Sequence, residues 1–206
     1  MRPLPGPECW RRLEEPVDMA RASAQVRAAM KRTRIGLLLV LLLAPLVAAA
    51  ANPEFAGRWR LDPARSTALD GWHAADLVIA LDGSKVALTY HMTWRTTKFT
   101  ATNTVDTAQP QAIEDFFRIE QRHMAVYPRP GESAQVTAAW LDAGETLRVE
   151  AAVPVGISQG EGTMRLYHEF RLLEGGTTLL LIELHSTRHR PLVYHFTKVS
   201  PETATN

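Results

Sequence analysis

The chain has 206 residues, of which 23 are lysine or arginine and 22 are aspartate or glutamate, so its formal net charge is only +1. A balance this even, without a long basic run, excludes the electrostatic footprint of a nucleic-acid-binding protein. The single cysteine, Cys9, lies close to the N-terminus. The remainder of the chain therefore has neither a disulfide nor thiol chemistry, and its stability must come from a packed core.

Residues 30–51 have the order of an export signal. A short basic run precedes thirteen apolar residues from Ile35 to Val47, and four alanines follow them. Basic, apolar and small residues in this order predict a signal peptide with cleavage close to Asn52. The alternative is a membrane anchor, but the apolar run including the alanines is seventeen residues long, and a spanning helix needs about 20. We therefore expect an exported, periplasmic or extracellular protein.

Residues 1–29 contain four prolines and mixed charges, without a helical or strand period. They indicate either a start codon assigned too early or a short cytoplasmic tail, and the tail would make the apolar block a signal anchor. Residues 52–206 hold 15 basic and 18 acidic side chains, a formal charge of −3. Their length fits one domain, and the slightly acidic charge again argues against a nucleic-acid partner.

Alternation with a period of two dominates the rest of the chain. Between Lys85 and Trp94 five apolar side chains occupy every second position, and residues 77–81 show the same pattern. Successive side chains of a strand point to opposite faces, so each segment predicts a half-buried strand. A two-residue loop at Gly83-Ser84 would join them into a hairpin with both apolar faces on one side.

Similar alternation recurs around residues 57–61, 99–105, 136–140, 147–153, 164–172, 177–187 and 192–199. About nine strands with short connections predict an all-β antiparallel sandwich or barrel. One segment departs from the pattern: Ile113, Phe116, Phe117 and Met124 fit the face of a short helix. That helix would either pack on the end of the sheet or act as a lid over the mouth of a barrel.

The segment Phe55–Ser66, with the sequence FAGRWRLDPARS, carries a Gly57-x-Trp59 strand followed by an Asp-Pro-x-Arg-Ser turn. It resembles the opening of bacterial exported lipocalin-like domains. Lipocalins also carry an arginine near the last strand that stacks on the tryptophan, a role open to Arg188 or Arg190. The resemblance implies a single up-and-down β-barrel of about 8–10 strands, whose interior can hold an apolar ligand.

The strand register around residues 164–187 decides the position of that arginine. A three-residue loop at Glu174–Gly176 would set Leu166 opposite Leu184 and turn Arg188 inward. An inward guanidinium needs a partner, and the ring of Trp59 could accept it. We expect this register because it places Leu180, Ile182 and Leu184, on the strand predicted at residues 177–187, inside the barrel.

A two-residue loop would instead bring His168, Glu183 and His185 onto one face, where they could form a ligand set. It would also bury Glu183 and expose a row of leucines, so we expect Glu183 and His185 at the surface. No His-Glu-x-x-His or Cys/His spacing occurs, and neither a metal nor another cofactor is expected. Gly-x-Ser-x-Gly is absent, and no carboxylates are predicted to pair across a cleft. An enzyme is therefore not expected.

Aromatic side chains with inward parity complete the candidate site: Trp59, Tyr90, Trp94, Trp140, Phe170 and Tyr194. They either fill the core or, with Arg188, line a ligand cavity. The first hypothesis is an exported lipocalin-like protein that holds a small apolar or amphipathic ligand inside its barrel. The second is a structural, envelope-associated barrel without a ligand. A hydrolase or metal-dependent enzyme that uses the face near His185 is the least favoured.

Overall fold

The computed structural model describes residues 51–68, 72–119, 127–157 and 160–200. The leader and nearly all of the predicted signal peptide lie outside these ranges. Within them the chain forms eleven strands: β1 Gly57–Leu61, β2 Ala74–Asp82, β3 Lys85–Trp94, β4 Thr97–Asp106, β5 Gln111–Glu114, β6 Tyr127–Pro128, β7 Ser133–Leu141, β8 Thr146–Ile157, β9 Gly160–Leu173, β10 Thr178–His185 and β11 Leu192–Lys198. The helical elements among the described residues are single 3₁₀ turns.

The strands form one antiparallel sheet in the order β4-β3-β2-β1-β11-β10-β9-β8-β7-β5, with β6 paired to β8. The pairing of β11 with β1 joins the first and last strands of the described sheet and curls it. The edge strands β4 and β5 approach each other, and the Gln111 side chain donates a hydrogen bond to the Thr104 carbonyl at 2.5 Å. The all-β antiparallel barrel predicted from the sequence is confirmed, and it is nearly closed.

The predicted hairpin of β2 and β3 has the expected register. Asp82 lies opposite Lys85, and the two-residue loop begins at Gly83 with a positive φ of 57°. Every second side chain of β3 is buried from Val86 to Met92. Period-two alternation therefore placed this part of the core correctly.

The helix predicted around Ile113 and Phe116 is wrong for its described part. Residues 111–114 form strand β5, which pairs with β7. The chain then reverses at Asp115, whose φ is 51°, and continues to Ile119 without regular structure. Backbone pairing with β7 satisfied the main-chain groups that a helix would have satisfied internally. Met124 lies outside the described residues.

The predicted register of β9 and β10 is also wrong. Leu173 lies opposite Thr178, so four residues, 174–177, form the loop. Its first three residues all have a positive φ and make a tight 3₁₀ turn. A shift of one residue moves every side chain of a strand to the opposite face. Glu183 and His185 are consequently buried, and Leu184 is 43% exposed on the outer face.

The inward orientation predicted for Arg188 fails for the same reason. Arg188 is exposed in the turn after β10, where its main-chain N–H donates to the His185 carbonyl at 3.1 Å. The ring of Trp59 is covered instead by the Lys198 ammonium, 4.9 Å from its centroid. Lys198 also donates to the Glu54 carbonyl at 2.6 Å. A cation does cover the tryptophan, but it comes from β11 itself.

The Asp-Pro-x-Arg-Ser turn ties the first strand to the last. The Asp62 carboxylate accepts a hydrogen bond from the Ala64 N–H at 3.0 Å. The Ser66 hydroxyl donates to the Asp62 carbonyl at 2.6 Å and accepts the His195 N–H at 2.9 Å. The motif that carried the resemblance therefore has a structural role at the seam between β1 and β11.

Across the described residues, no helix is long and apolar enough to cross a membrane.

On the outer face, Asp76 generates a prediction about acid stability. It accepts hydrogen bonds from Arg58 at 2.7 Å and from Arg60 at 3.0 Å. Burial alone would raise the pKa of Asp76, but the hydrogen bonds and charges of Arg60 and Arg58 outweigh burial and lower it. A lowered pKa adds stability above the unfolded value of about 3.9, and that stability is lost as the pH falls through the folded value.

Asp76→Asn should therefore reduce the free energy of unfolding at pH 7 by about 1 kcal/mol, since both arginines are solvent-exposed and screened. The difference from wild type should shrink towards pH 2, because the wild-type carboxylate is then protonated as well. Urea unfolding over a pH series measures it, with the exposed Asp82→Asn as control. A difference that stays constant with pH would contradict this account.

Candidate functional site

A buried carboxylate lies between two histidines on the inner face of the barrel. The Glu183 Oε1 atom is 2.7 Å from His185 Nε2, and its Oε2 atom is 3.2 Å from His168 Nε2. Glu183 is 1% exposed, His168 3% and His185 6%. These three residues are called the internal polar cluster below, and their two imidazole Nε2 atoms converge on one carboxylate.

Strand pairing brings the cluster together. His168 of β9 lies directly opposite Glu183 of β10, and His185 follows two positions later on the same face. Opposed residues of antiparallel strands have Cβ atoms about 5 Å apart, and residues two apart share a face. The four-residue turn at 174–177 therefore assembles the cluster. A loop with one residue fewer would have turned Glu183 and His185 outward and left His168 inside.

The surroundings of the cluster are apolar. The ring of Phe116 stacks at 6.3 Å from the His168 ring, and Phe170 meets the same imidazole edge-on at 6.3 Å. Leu166 and Leu181 are buried on the same strands. Transferring a carboxylate into such a site costs several kcal/mol, which contacts to the histidines offset. Chemically, the cluster can accept a hydrogen bond, hold a polar group of a bound molecule or exchange a proton with it.

Residues 116–119, called the inserted segment, leave β5 and enter the barrel interior. All four residues are buried, with exposures of 1–4%. On the β4 side, the Asn103 amide donates to the Phe117 carbonyl and accepts the Phe117 N–H, both at 2.9 Å. On the β9 side, Arg118 Nη1 lies 3.1 Å from the Met164 sulfur. The segment thus crosses the interior between the two walls.

An open groove of about 480 Å³ leads to the inserted segment from outside. Residues 99–102 of β4 form one wall, and Glu114, Asp115 and Pro128 belong to the other. Phe117 lies at its inner end, where its ring is 5.3 Å from that of Phe99. Phe99 is 39% exposed, which is unusual for a large aromatic side chain in this molecule. The groove follows the gap that remains between β4 and β5.

The structure buries most of the predicted cavity residues in one core: Trp59, Tyr90, Trp140, Phe170 and Tyr194. Trp94 is half-buried and packs against that core, and Arg188 is exposed. Of the predicted residues, Phe170 contacts the internal polar cluster. The five residues in the core are each 8% exposed or less, so this region is tightly packed. Whether any of them contacts a ligand stays a prediction.

Sequence reasoning did not select Asn103 or Arg118, and it considered the internal polar cluster only as the less favoured alternative that a two-residue loop would produce. Asn103 had inward parity between Ala101 and Val105, and a polar side chain in an inward row is a usable signal. Glu183 and His185 interrupt an inward row in the same way once the register is known. Within the described part of the chain, no group of three or more His, Cys, Asp or Glu side chains is arranged to hold a metal ion.

No protein-family model matches the chain, and no curated protein matches its sequence. Among solved structures it is similar to a Schistosoma mansoni fatty acid binding protein in complex with arachidonic acid, at 9% identity, with 71% of this chain and 97% of that chain covered and a TM-score of 0.48. A secretory abundant heat soluble protein of Ramazzottius varieornatus matches at 8% identity, with 74% and 100% covered and a TM-score of 0.45.

A fatty-acid-binding protein of Manduca sexta matches at 9% identity, with 69% of this chain and 98% of that chain covered and a TM-score of 0.42. At these identities and TM-scores, the three matches assign no ligand and no residue role to this chain. The chain is accordingly defined by its own features, as a nearly closed antiparallel β-barrel with a polar cluster and an inserted segment inside it.

The internal polar cluster yields a prediction about stability. Replacing a complete buried ionic set by apolar residues of similar volume is typically neutral or stabilising, whereas removing one member is costly. The triple variant His168→Leu/Glu183→Leu/His185→Leu should therefore unfold with a free energy at least equal to that of wild type. His185→Leu alone should lose about 3 kcal/mol.

Urea unfolding followed by tryptophan fluorescence measures both variants. A triple variant as unstable as the single one would show that the internal polar cluster supports the fold.

Proposed function

We propose that this protein is an exported binding protein that holds a small amphipathic molecule inside its barrel, with the polar end of that molecule at the internal polar cluster. One observation carries the proposal: the Glu183 carboxylate is 1% exposed and lies between two histidines, and the apolar rings of Phe116 and Phe170 pack against His168. Small-molecule sites are typically apolar concavities with a few converging polar groups. The export signal predicted at residues 30–51 supports the location.

The free-energy cost of burying the internal polar cluster supports a binding role over a purely structural one. A barrel of this size would gain or lose little stability if the three side chains were apolar. Local violations of core patterning in natural proteins concentrate at functional sites. The ligand class follows from the surroundings, since Phe116, Phe170 and Leu166 offer apolar contacts beside the carboxylate.

Acid–base catalysis is a second candidate function, and the 2.7 Å contact between Glu183 and His185 favours it. A carboxylate that orients an imidazole is a common arrangement for a general base. In that case the molecule recovered from the barrel would be converted to a product on incubation with the protein. A binding protein would return it unchanged.

The test is native mass spectrometry of the intact protein purified from an exporting bacterium, followed by solvent extraction of any adduct. We expect wild type to retain a small-molecule adduct, and Glu183→Gln to lose about tenfold in occupancy, since one hydrogen bond to a charged acceptor is worth about 1.4 kcal/mol. Glu150→Gln is the matched control, because this exposed glutamate pairs with Arg148 on the outer face.

Absence of an adduct, together with no thermal shift from a panel of fatty acids, sterols and aromatic amphiphiles, would refute the proposal. It would favour the hypothesis of a structural barrel without a ligand. N-terminal sequencing of the same sample checks the export signal, since a mature start close to Asn52 is expected.

A further inference from the structure

We propose that the inserted segment occupies the site of the ligand in the unliganded barrel, and that Asn103 is the latch that holds it there. A ligand would then bind by displacing the segment through the gap between β4 and β5. The inference rests on the proposed function, because it describes how the same interior site is opened and closed.

The inserted segment contacts the same inner wall of the barrel that a bound ligand would contact. Phe116 stacks on His168, and Arg118 reaches Met164 on the same strand. The Phe117 ring lies 5.2 Å from that of Tyr90 on β3. Apolar rings and a guanidinium therefore contact the wall beside the internal polar cluster, where an amphipathic ligand would have to pack.

Within the described residues, both main-chain groups of Phe117 bond to one side chain rather than to a strand, which makes release of the segment feasible. Residues 116–119 have no regular secondary structure although they are buried. Buried backbone groups need hydrogen-bond partners, and irregular segments inside a protein depend on side chains to supply them. The Asn103 amide satisfies both main-chain groups of Phe117 with two 2.9 Å bonds. Loss of this one side chain would leave both groups without their bonds to the β4 wall.

A path for withdrawal is also present. The chain enters the interior at Asp115, whose φ of 51° marks a sharp reversal next to the open groove. The groove of about 480 Å³ ends at Phe117. The edges β4 and β5 are paired to β3 and β7 respectively, so the segment can leave between them without breaking a strand pair of the described sheet.

The first experiment measures the latch without any ligand. Hydrogen exchange of the amides of residues 116–119 is compared among wild type, Asn103→Ala and the neighbouring exposed Thr104→Ala, which lies outside the groove lining. Asn103→Ala should speed exchange of these amides at least about tenfold, while β9 amides stay protected and Thr104→Ala matches wild type. Asn103→Asp is a second variant if the alanine protein fails to fold, since it keeps the acceptor for the Phe117 N–H. Unchanged exchange in the folded variants would overturn the latch.

The second experiment couples the latch to binding, with 1-anilinonaphthalene-8-sulfonate as the probe in stopped-flow fluorescence. The probe should enter Asn103→Ala about tenfold faster than wild type, with Thr104→Ala unchanged. Faster amide exchange without faster probe entry would refute displacement by a ligand. Probe binding to none of the variants, despite faster exchange, would count against the proposed function instead. Glu183→Gln distinguishes ligand binding at the internal polar cluster from the Asn103 latch. It should weaken retention of the ligand without altering hydrogen exchange of the Phe117 amide.

Discussion

The turn at residues 174–177 is the constraint on which the interior of this barrel depends. It contains four residues, three of them with a positive φ, and it pairs Leu173 with Thr178. Because side chains alternate along a strand, this spacing decides which set of alternate β10 side chains faces the core. It turns Glu183 and His185 inward against His168 and leaves Leu184 in solvent. The most distinctive chemistry of the molecule follows from the length of one loop.

The polar interior and the inserted segment complement each other physically. A carboxylate in an apolar barrel needs nearby partners and exclusion of competing water. The two histidines supply the contacts, and Phe116 covers His168 from inside the barrel. The segment itself is irregular backbone in a dry environment and depends on Asn103 for its bonds. Both features fit a barrel whose interior exchanges its occupant.

The sequence predicted much of the fold because alternation and turn chemistry are local. The β2–β3 hairpin, with Gly83 in its loop and Asp82 opposite Lys85, needed only residues close along the chain. The core positions of β3 followed from period two in the same way. The helix around Phe116 was wrong because its apolar spacing reflected entry into the barrel interior, which is a long-range contact with β4 and β9. The internal polar cluster was considered but not favoured for a related reason: β10 has two apolar rows, and hydrophobicity alone favoured the wrong register.

By itself, the sequence determined that the chain beyond the leader is an antiparallel β protein, that β2 and β3 form a hairpin, and that a turn motif with Gly57-x-Trp59 opens the domain. These depend on side-chain periodicity and on residues that favour particular backbone angles. Tertiary structure alone decided that Lys198 rather than Arg188 covers Trp59, that Glu183 lies between His168 and His185, and that residues 116–119 enter the barrel. Those outcomes depend on strand register and on sheet closure, which join segments far apart in the chain and are not encoded in any local pattern.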